Sequence, residues 1–414
     1  MVVLPLEIFN LLIDQVAEDE SGGLRHLFAE IQITIDSNVR KVAGRLSAVY
    51  DSNKDLLAKL RCLTLVFDTR GSGEPGAFLH DIGLGDAGYP VEKQRITKLR
   101  TLLKLFARAN LESLTIMARN GFLHWSRMSC QSQELFLAIR ASPTLRSIHY
   151  ERIVNLDRGM ISREGLHRLT LGLNIDIPSS FVGGNALCAT AMENLSSLIK
   201  LEIDHTALFH FLPPPWHIAT NYLQRLRSLT ITLPRDHPSR MDVVKFISHI
   251  GKQLRSLHLT SVWYPHPDMD ISNEAFFGTF SYDDIPNLHH LTLENGPGHS
   301  LLSTSFIAIA NILMHAYGAR SLSIKYLNIK VELFPAAMQD LDFPPRVNID
   351  EVLTNPALVS SLRDITVHIV VHPDPHGRPI EFLTAIRTSE DLRRFFPRTS
   401  VHGGLNLKLC LTHL

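Results

Sequence analysis

The sequence has few cysteines and no long uncharged apolar run. The four cysteines, Cys62, Cys130, Cys188 and Cys410, are far apart and form no C-x-x-C pair, so neither a disulfide framework nor a zinc site is expected. No stretch of about 18 uncharged apolar residues occurs, and we expect no membrane span. The N-terminus also lacks the basic and apolar regions of a signal peptide. These absences predict a cytoplasmic or nuclear protein.

The chain also lacks an excess of charge of one sign. Its 414 residues include 41 basic and 41 acidic residues, and the formal net charge is zero. Because nucleic acids and anionic membranes attract basic surfaces, we expect neither as a partner. The one basic and aromatic segment, residues 392–398, is short and isolated.

Motifs for catalysis or cofactor binding are absent as well. Residues 83–88 match G-x-G-x-x-G, but no strand is predicted before them, and Tyr89-Pro90 follow where a helix should begin. The 21 histidines show neither H-E-x-x-H nor Cys/His spacing. We predict no catalytic residue, no metal and no cofactor, and a chain that is not an enzyme. The alternative, an (αβ)-barrel enzyme, fits unevenly spaced strands with one polar face poorly.

What the sequence does have is a repeat. The pattern L-x-x-L-x-L, with other aliphatic residues and one Tyr or Ala allowed, occurs at least ten times. The copies begin at Leu60, Leu111, Leu145, Leu166, Leu198, Leu226, Leu254, Leu288, Ala319 and Leu362. The strings L-E-S-L-T-I at 111–116, L-R-S-L-T-I at 226–231 and L-R-S-L-H-L at 254–259 are near copies, which chance alone rarely produces.

Each copy predicts a strand with one wet face. Its last two apolar positions are two residues apart, which places both side chains on one face of a strand. The residue between them is polar in every copy: Thr64, Thr115, His149, Thr170, Glu202, Thr230, His258, Thr292, Ser323 and Thr366. A doubly wound sheet would bury both faces, and its strands would be continuously apolar.

The segments between the strands have helical spacing. They are Leu102–Ala109, Leu135–Ile139, Met241–Ile250, Phe306–Met314 and Val352–Leu362. Alternating strands and helices with one wet strand face predict an α/β, leucine-rich-repeat-like horseshoe solenoid, with a parallel sheet on the concave face and helices outside. Two long gaps between copies, residues 69–90 and 333–347, are predicted loops of unassigned role.

The N-terminal stretch differs from the repeats. Pro5 suits the first turn of a helix, and Ile8, Leu12 and Val16 share one helical face. This stretch resembles the opening of an F-box, the helical module that docks on the Skp-type adaptor of SCF ubiquitin ligases. The matching residues are Leu4, Pro5, Glu7, Ile8, Leu12, Ile13, Asp14 and Val16.

In architecture, the whole chain resembles the fungal, basidiomycete-type F-box and leucine-rich-repeat proteins. The resemblance implies adaptor binding by Leu4, Pro5, Glu7, Ile8, Leu12, Ile13 and Val16. The middle of the F-box is missing, because acidic and glycine residues at 18–23 follow the first helix directly, so the box is truncated or degenerate. The alternative interpretation of residues 4–20 is a helix that caps the first repeat. We assign residues 1–35 to this N-terminal helical segment and residues 36–414 to an irregular solenoid of about ten repeats.

The resemblance implies a non-catalytic substrate receptor of an SCF-type ubiquitin ligase, which binds an unknown protein substrate. The alternative is a leucine-rich-repeat interaction scaffold with no ubiquitin role. Most residues beside the inner strand positions are Ser or Thr, which suit strands in any case. The central repeats differ, and we predict partner binding on the concave face by His149, Glu151, Arg168, Lys200, Glu202 and Asp204.

Overall fold

The structure is a computed structural model that describes part of the chain. The described residues are 29–35, 39–52, 54–68, 90–172, 175, 194–212, 221–234, 237–260, 281–295, 309–310, 312–314, 323–333, 349–372, 393, 396–402 and 404–413. The chain divides into two compact units, Met1–Leu198 and Ile199–Leu414.

In the first unit, strands alternate with helices. The strands are β1 (Glu30–Ile35), β2 (Cys62–Asp68), β3 (Ser113–Arg119), β4 (Leu123–His124), β5 (Ser147–Glu151), β6 (Ile153–Val154) and β7 (Arg168–Leu171). The helices are α1 (Val39–Ser52), α2 (Lys54–Lys59), α3 (Pro90–Phe106), α4 (Cys130–Arg140) and α5 (Arg158–Ile161), with a 3₁₀ turn at Trp125–Arg127. Strands β1, β2, β3, β5 and β7 pair in this order as a parallel sheet, and β4 pairs separately with β6.

The second unit is built in the same way. Its strands are β8 (Lys200–Asp204), β9 (Ser228–Thr232), β10 (Ser256–Thr260), β11 (His290–Asn295), β12 (Tyr326–Leu333), β13 (Asp364–Val371) and β14 (Asn406–His413). Its helices are α6 (His205–Phe211), α7 (His237–Ile250), α8 (Ile349–Leu353), α9 (Pro356–Val359) and α10 (Pro397–Val401), with 3₁₀ turns at Gly251–Gln253 and Tyr282–Asp284. Strands β8 to β14 pair in chain order, each parallel to the next.

The apolar strand positions form continuous buried rows. Leu229 pairs with Leu201 on one side and with Leu257 on the other, and all three are fully buried. Since burial of one leucine side chain stabilises a fold by about 1.5–3 kcal/mol, such rows supply much of the core energy. The predicted α/β solenoid of parallel strand–helix repeats, with one strand face buried and one polar, is confirmed in each unit.

Backbone hydrogen bonds at the N-terminal ends of the strands repeat as regularly. The amides of Arg255 and Ser256 both donate to the carbonyl of Arg227, at 2.8 and 3.0 Å. In the first unit, the amides of Arg146 and Ser147 share the carbonyl of Glu112 in the same way. The two middle residues of these L-x-x-L segments are therefore held at one edge of their sheet.

One predicted copy was placed five residues too early. The copy on β12 consists of Ile324, Leu327 and Ile329, because Leu327 pairs with Leu291 of β11 and with Ile365 of β13. Ser323, predicted to lie on the exposed strand face, precedes the strand, and its hydroxyl donates to the carbonyls of Pro286 and Leu288. The sequence A-x-x-L-x-I at 319–324 matches the pattern too, and the pattern alone could not choose between the two registers.

Besides the two-residue strands β4 and β6, two strands had no predicted copy. β1 lies within residues 1–35, the segment predicted to be helical, and its Ile31 pairs with Leu63. β14 pairs with β13, but Gly404 stands where the pattern needs an aliphatic residue. The inward-facing leucines of β14 are only half-buried.

The predicted helical segments correspond to helices of various lengths. Helices α4 and α7 contain two of them. Helix α3 covers the predicted segment 102–109 only as far as Phe106, but begins much earlier, at Pro90, a residue suited to a first helical position. Residues 352–362 contain the end of α8 and all of α9, because Pro356 lacks an amide hydrogen and cannot continue a helix from α8. The loops predicted at 69–90 and 333–347 fall almost wholly outside the described residues. Among the helices that the structure describes, none is long and apolar enough to cross a membrane.

Candidate protein-binding surface

The polar side of strands β8 to β14, which we call the polar face, carries the side chains that alternate with the buried rows. Across its middle lie Thr230, His258, Thr292, Asn328, Thr366 and Lys408, one from each of the adjacent strands β9 to β14. None of these residues is buried. The polar face therefore presents hydrogen-bonding and charged groups above an apolar core.

One part of the polar face is an ionic cluster formed by His258, Glu294, Lys330, Glu332 and His372. The ammonium of Lys330 donates to Glu294 Oε1 at 2.5 Å and lies 3.0 Å from Glu332 Oε1. The other carboxylate oxygens of Glu294 and Glu332 accept from the Nε2 atoms of His258, at 2.9 Å, and His372, at 3.3 Å. Each carboxylate in the ionic cluster thus bridges a histidine and the central lysine.

Strand register brings these side chains together. Glu294 pairs directly with Lys330, and Glu332 lies two residues further along β12 on the same side. His258 lies on the neighbouring strand and pairs with Thr292, two residues before Glu294. Neighbouring strands are about 4.8 Å apart, so long side chains at these positions can reach one another.

Two members of the ionic cluster, Glu294 and Lys330, have pKa values that favour their charged forms. The hydrogen bond from His258 lowers the pKa of Glu294 to about 2; partial burial opposes this shift, and Lys330 adds to it. Partial burial alone would lower the pKa of Lys330, but its hydrogen bonds to Glu294 and Glu332 outweigh that effect and raise it. Both side chains are therefore ionised and held in place.

Other side chains of the polar face are also held by neighbours. His368 Nε2 lies 2.8 Å from the Thr412 hydroxyl, and the Thr260 hydroxyl donates to Thr232 at 2.9 Å. The ring of His290 stacks on that of Tyr326, with centroids 4.5 Å apart and an interplanar angle of 8°. Side chains that are already ordered lose little entropy on binding, which favours recognition of another molecule.

Among the described residues, no group of three or more His, Cys, Asp or Glu side chains is placed to hold a metal ion. The ionic cluster and the hydroxyl and histidine pairs described above are engaged in hydrogen bonds and ion pairs with one another.

The structure brings two of the predicted first-unit residues together. His149 Nε2 lies 3.9 Å from Glu151 Oε2 on β5, and the other oxygen of Glu151 lies 3.8 Å from Arg152 Nε. Arg168 begins β7, pairs in register with Ser147, and is exposed. These residues lie on the polar side of the first sheet, as expected.

In the second unit, Asp204 is placed differently from the prediction. Lys200 and Glu202 lie on β8 with partly exposed side chains, but Asp204 is only 7 % exposed. Its carboxylate caps the N-terminus of α6, where Oδ1 accepts from the amide of Thr206 at 2.9 Å and from the Thr206 hydroxyl at 2.5 Å. Burial would raise the pKa of Asp204, but His205 and Thr206 outweigh it and lower the pKa. Aspartate is a preferred N-cap residue, so an Asp between a strand and a helix is itself a sign of a helix N-cap.

The repeat pattern does not predict most of the ionic cluster. His258 was recognised as a residue on the exposed strand face, but Glu294, Lys330, Glu332 and His372 lie beyond the L-x-x-L-x-L window. The signal that points to them is the polar–apolar alternation, which continues past the repeat pattern in the eight-residue strands β12 and β13. The predicted adaptor-binding residues, Leu4 to Val16, lie outside the described residues.

Comparisons with known proteins are sparse. No protein-family model and no curated protein sequence matches this chain. Among solved structures, the chain is similar to the crystal structure of a Rad7 and Elc1 complex from yeast, with 16 % identity over 94 % of this chain and 100 % of that chain. The TM-score is 0.34, and a likeness at that level carries no argument about function.

Proposed function

We propose that this chain is a non-catalytic, protein-binding substrate receptor of an SCF-type ubiquitin ligase. The observation that carries the proposal is the polar face, where ordered charged and hydrogen-bonding side chains stand above a continuous apolar core. The F-box resemblance of the N-terminal stretch supplies the ubiquitin part of the proposal. A receptor of this kind needs no reacting group, because its role is to hold a target lysine near ubiquitin that another subunit carries.

Co-purification with a Skp-type adaptor tests the ubiquitin part. The full chain is expressed with the adaptor, in parallel with an Ile8→Asp, Leu12→Asp variant and a Glu18→Gln control. We expect the parent and the control to retain the adaptor and the double variant to lose it, since an aspartate on the apolar helix face prevents its burial. Circular dichroism establishes that all three chains are folded.

Failure of the folded parent to retain the adaptor would refute the ligase role. The second candidate function would then stand: a leucine-rich-repeat interaction scaffold whose N-terminal stretch only caps the first repeat. The same polar face favours it, because that surface does not depend on the F-box resemblance.

A substitution on the polar face tests its part in substrate choice. Asn328 is exposed at the centre of the polar face, and Asn328→Arg adds bulk without entering the core. In cells, we expect this variant to bind the adaptor but to lose the ubiquitin-modified proteins that depend on the parent chain. Glu134→Arg, a change at an exposed position of α4, should retain them. An unchanged set of modified proteins in the Asn328 variant would remove the polar face from the proposal.

A further inference from the structure

Basic residues line one edge of the second sheet. Arg227, Arg255, His289, Lys325 and Arg363 immediately precede the first residues of β9, β10, β11, β12 and β13. We call these five residues the basic edge. They occupy the same position in five consecutive repeats, the second residue of each L-x-x-L segment.

The backbone fixes the spacing of the basic edge. The amide of Arg255 donates to the carbonyl of Arg227 at 2.8 Å, and His289, Lys325 and Arg363 each donate to the preceding member at 2.9 Å. Each member is therefore displaced from the next by one strand spacing, about 4.8 Å, and the five span roughly 19 Å. The result is a row of basic side chains that runs across the strands.

Among the described residues, carboxylates do not pair with the arginine and lysine side chains at the centre and end of this row. In the part of the chain that the structure describes, no carboxylate forms an ion pair with Arg255, Lys325 or Arg363, and Arg255 and Arg363 are exposed. The first unit differs, because at the same position of adjacent repeats Arg61 Nε lies 3.6 Å from Glu112 Oε1. The carboxylate beside Arg363, that of Asp364, accepts instead from the Asn406 amide at 2.8 Å.

The neighbouring basic side chains affect the pKa of His289. Partial desolvation and the charges of Lys325, Arg255 and His290 all lower its pKa. No carboxylate contributes at this position. Like charges placed side by side repel one another, so the basic edge costs stability in the free chain and gains it when an anion binds.

We propose that the basic edge binds an extended acidic segment of a protein partner. This inference deepens the proposed function, since it names the class of partner that the protein-binding unit takes. An extended peptide rises about 3.3 Å per residue, so a segment of roughly six residues spans the row. Carboxylates on alternate residues of such a segment repeat at about 6.6 Å and can each lie between two cations of the edge.

A nucleic acid fits the basic edge less well. Nucleic-acid interfaces are broad and strongly basic, whereas this row is one residue wide and belongs to a chain of zero net charge. The carboxylate of Asp364 lies directly after Arg363 in the chain. A continuous run of phosphates along the edge would meet this carboxylate, while a peptide can place a neutral residue beside it.

Fluorescence anisotropy on the full chain tests the proposal. The probe is a labelled peptide of about ten residues with alternating Glu and Ser, and its Gln–Ser counterpart is the neutral control. The test variant is Arg255→Gln, Lys325→Gln, Arg363→Gln. A matched control removes the same charge from exposed positions of the first unit, as Arg61→Gln, Lys104→Gln, Arg108→Gln.

We expect the parent and the matched control to bind the acidic peptide, and the test variant to bind it roughly tenfold more weakly or worse. Binding should weaken as salt rises, and the neutral peptide should not bind. Equal binding by the parent and the test variant would overturn the proposal, as would no binding by the parent at low salt. A single-stranded oligothymidylate that displaces the peptide and binds more tightly would also overturn it, in favour of nucleic acid.

These outcomes are separate from those of the proposed function. Retention of the Skp-type adaptor depends on the N-terminal stretch, and none of the three substitutions lies there. If the parent retains the adaptor but does not bind the peptide, only the basic-edge proposal is refuted. If the parent binds the peptide but does not retain the adaptor, only the ligase role is refuted.

Discussion

At the scale of single residues, Asp350 shows how hydrogen bonds satisfy a buried carboxyl group. Its side chain is fully buried in α8. The carboxylate accepts from the amides of Arg398 and Thr399, each at 2.8 Å, and from the Thr399 hydroxyl at 2.6 Å. These donors belong to the first turn of α10, so one side chain joins two helices that are distant in sequence.

We predict that Asp350→Ala lowers the free energy of unfolding by about 2–4 kcal/mol, because it leaves buried amides without an acceptor. Urea unfolding measures the change. Asp350→Asn should cost less, since its side-chain oxygen still accepts. The neighbouring exposed carboxylate provides the control: Glu351→Ala should cost less than about 1 kcal/mol, although Glu351 lies 3.8 Å from Arg398. Equal losses at positions 350 and 351 would contradict this account.

Glu294 makes stability depend on pH in the acid range. Its pKa is about 2 in the folded chain and 4.5 in the absence of neighbours. A carboxylate with a lowered pKa stabilises the fold above pH 4.5, and this contribution is lost as the pH falls toward 2. We predict that Glu294→Gln flattens the decline in urea midpoint across this range. A variant whose midpoint falls as steeply as that of the parent would show that the ionic cluster does not stabilise the fold.

At the scale of elements, β12 offers a test of register. The structure places Ile329 in the buried row and Asn328 on the polar face. We predict that Ile329→Ala lowers the free energy of unfolding by about 2–5 kcal/mol, since it opens a cavity in the core. Asn328→Ala, one residue away, should change it by less than about 0.5 kcal/mol. If the two substitutions cost the same, β12 does not have the register described.

The same strand shows what the sequence could and could not predict. Strand existence and the buried face follow from local alternation, because period-two spacing is a property of the strand itself. The register of β12 does not, since Ala319 and Ile324 both begin acceptable copies and only pairing with Leu291 and Ile365 decides between them. Strand β14 was not predicted for a related reason. Gly404 breaks the repeat pattern before it, yet β14 still pairs with β13.

The residues of the candidate sites also divide into those that local alternation predicts and those that only the fold reveals. Residues between the apolar positions, such as His149 and His258, were predicted on the exposed face because alternation places them there. The ionic cluster required knowledge of which strands are neighbours, since Glu294 and Lys330 are distant in sequence and adjacent only through the ladder. The capping role of Asp204 could be predicted only with the knowledge that a helix begins at His205, directly after the strand.

At the scale of the whole molecule, balanced charge governs behaviour in solution. Basic and acidic residues are equal in number, and the sequence pI is about 7.4. We predict that the chain is least soluble near that pH and becomes more soluble in either direction, because net charge keeps molecules apart. Precipitation by polyethylene glycol across a pH series measures this. A solubility that changes steadily through pH 7.4 would contradict the prediction.

The equal register of successive strands also has a genetic consequence. Residues 226–231 and 254–259 are near copies that occupy equivalent rungs, with Leu229 paired to Leu257 and Ile231 to Leu259. Unequal crossing-over between the coding segments of these copies would delete or duplicate one whole rung while leaving both junctions in phase. Selection can therefore lengthen or shorten such a chain in unit steps, and change the extent of its polar face without redesigning a core.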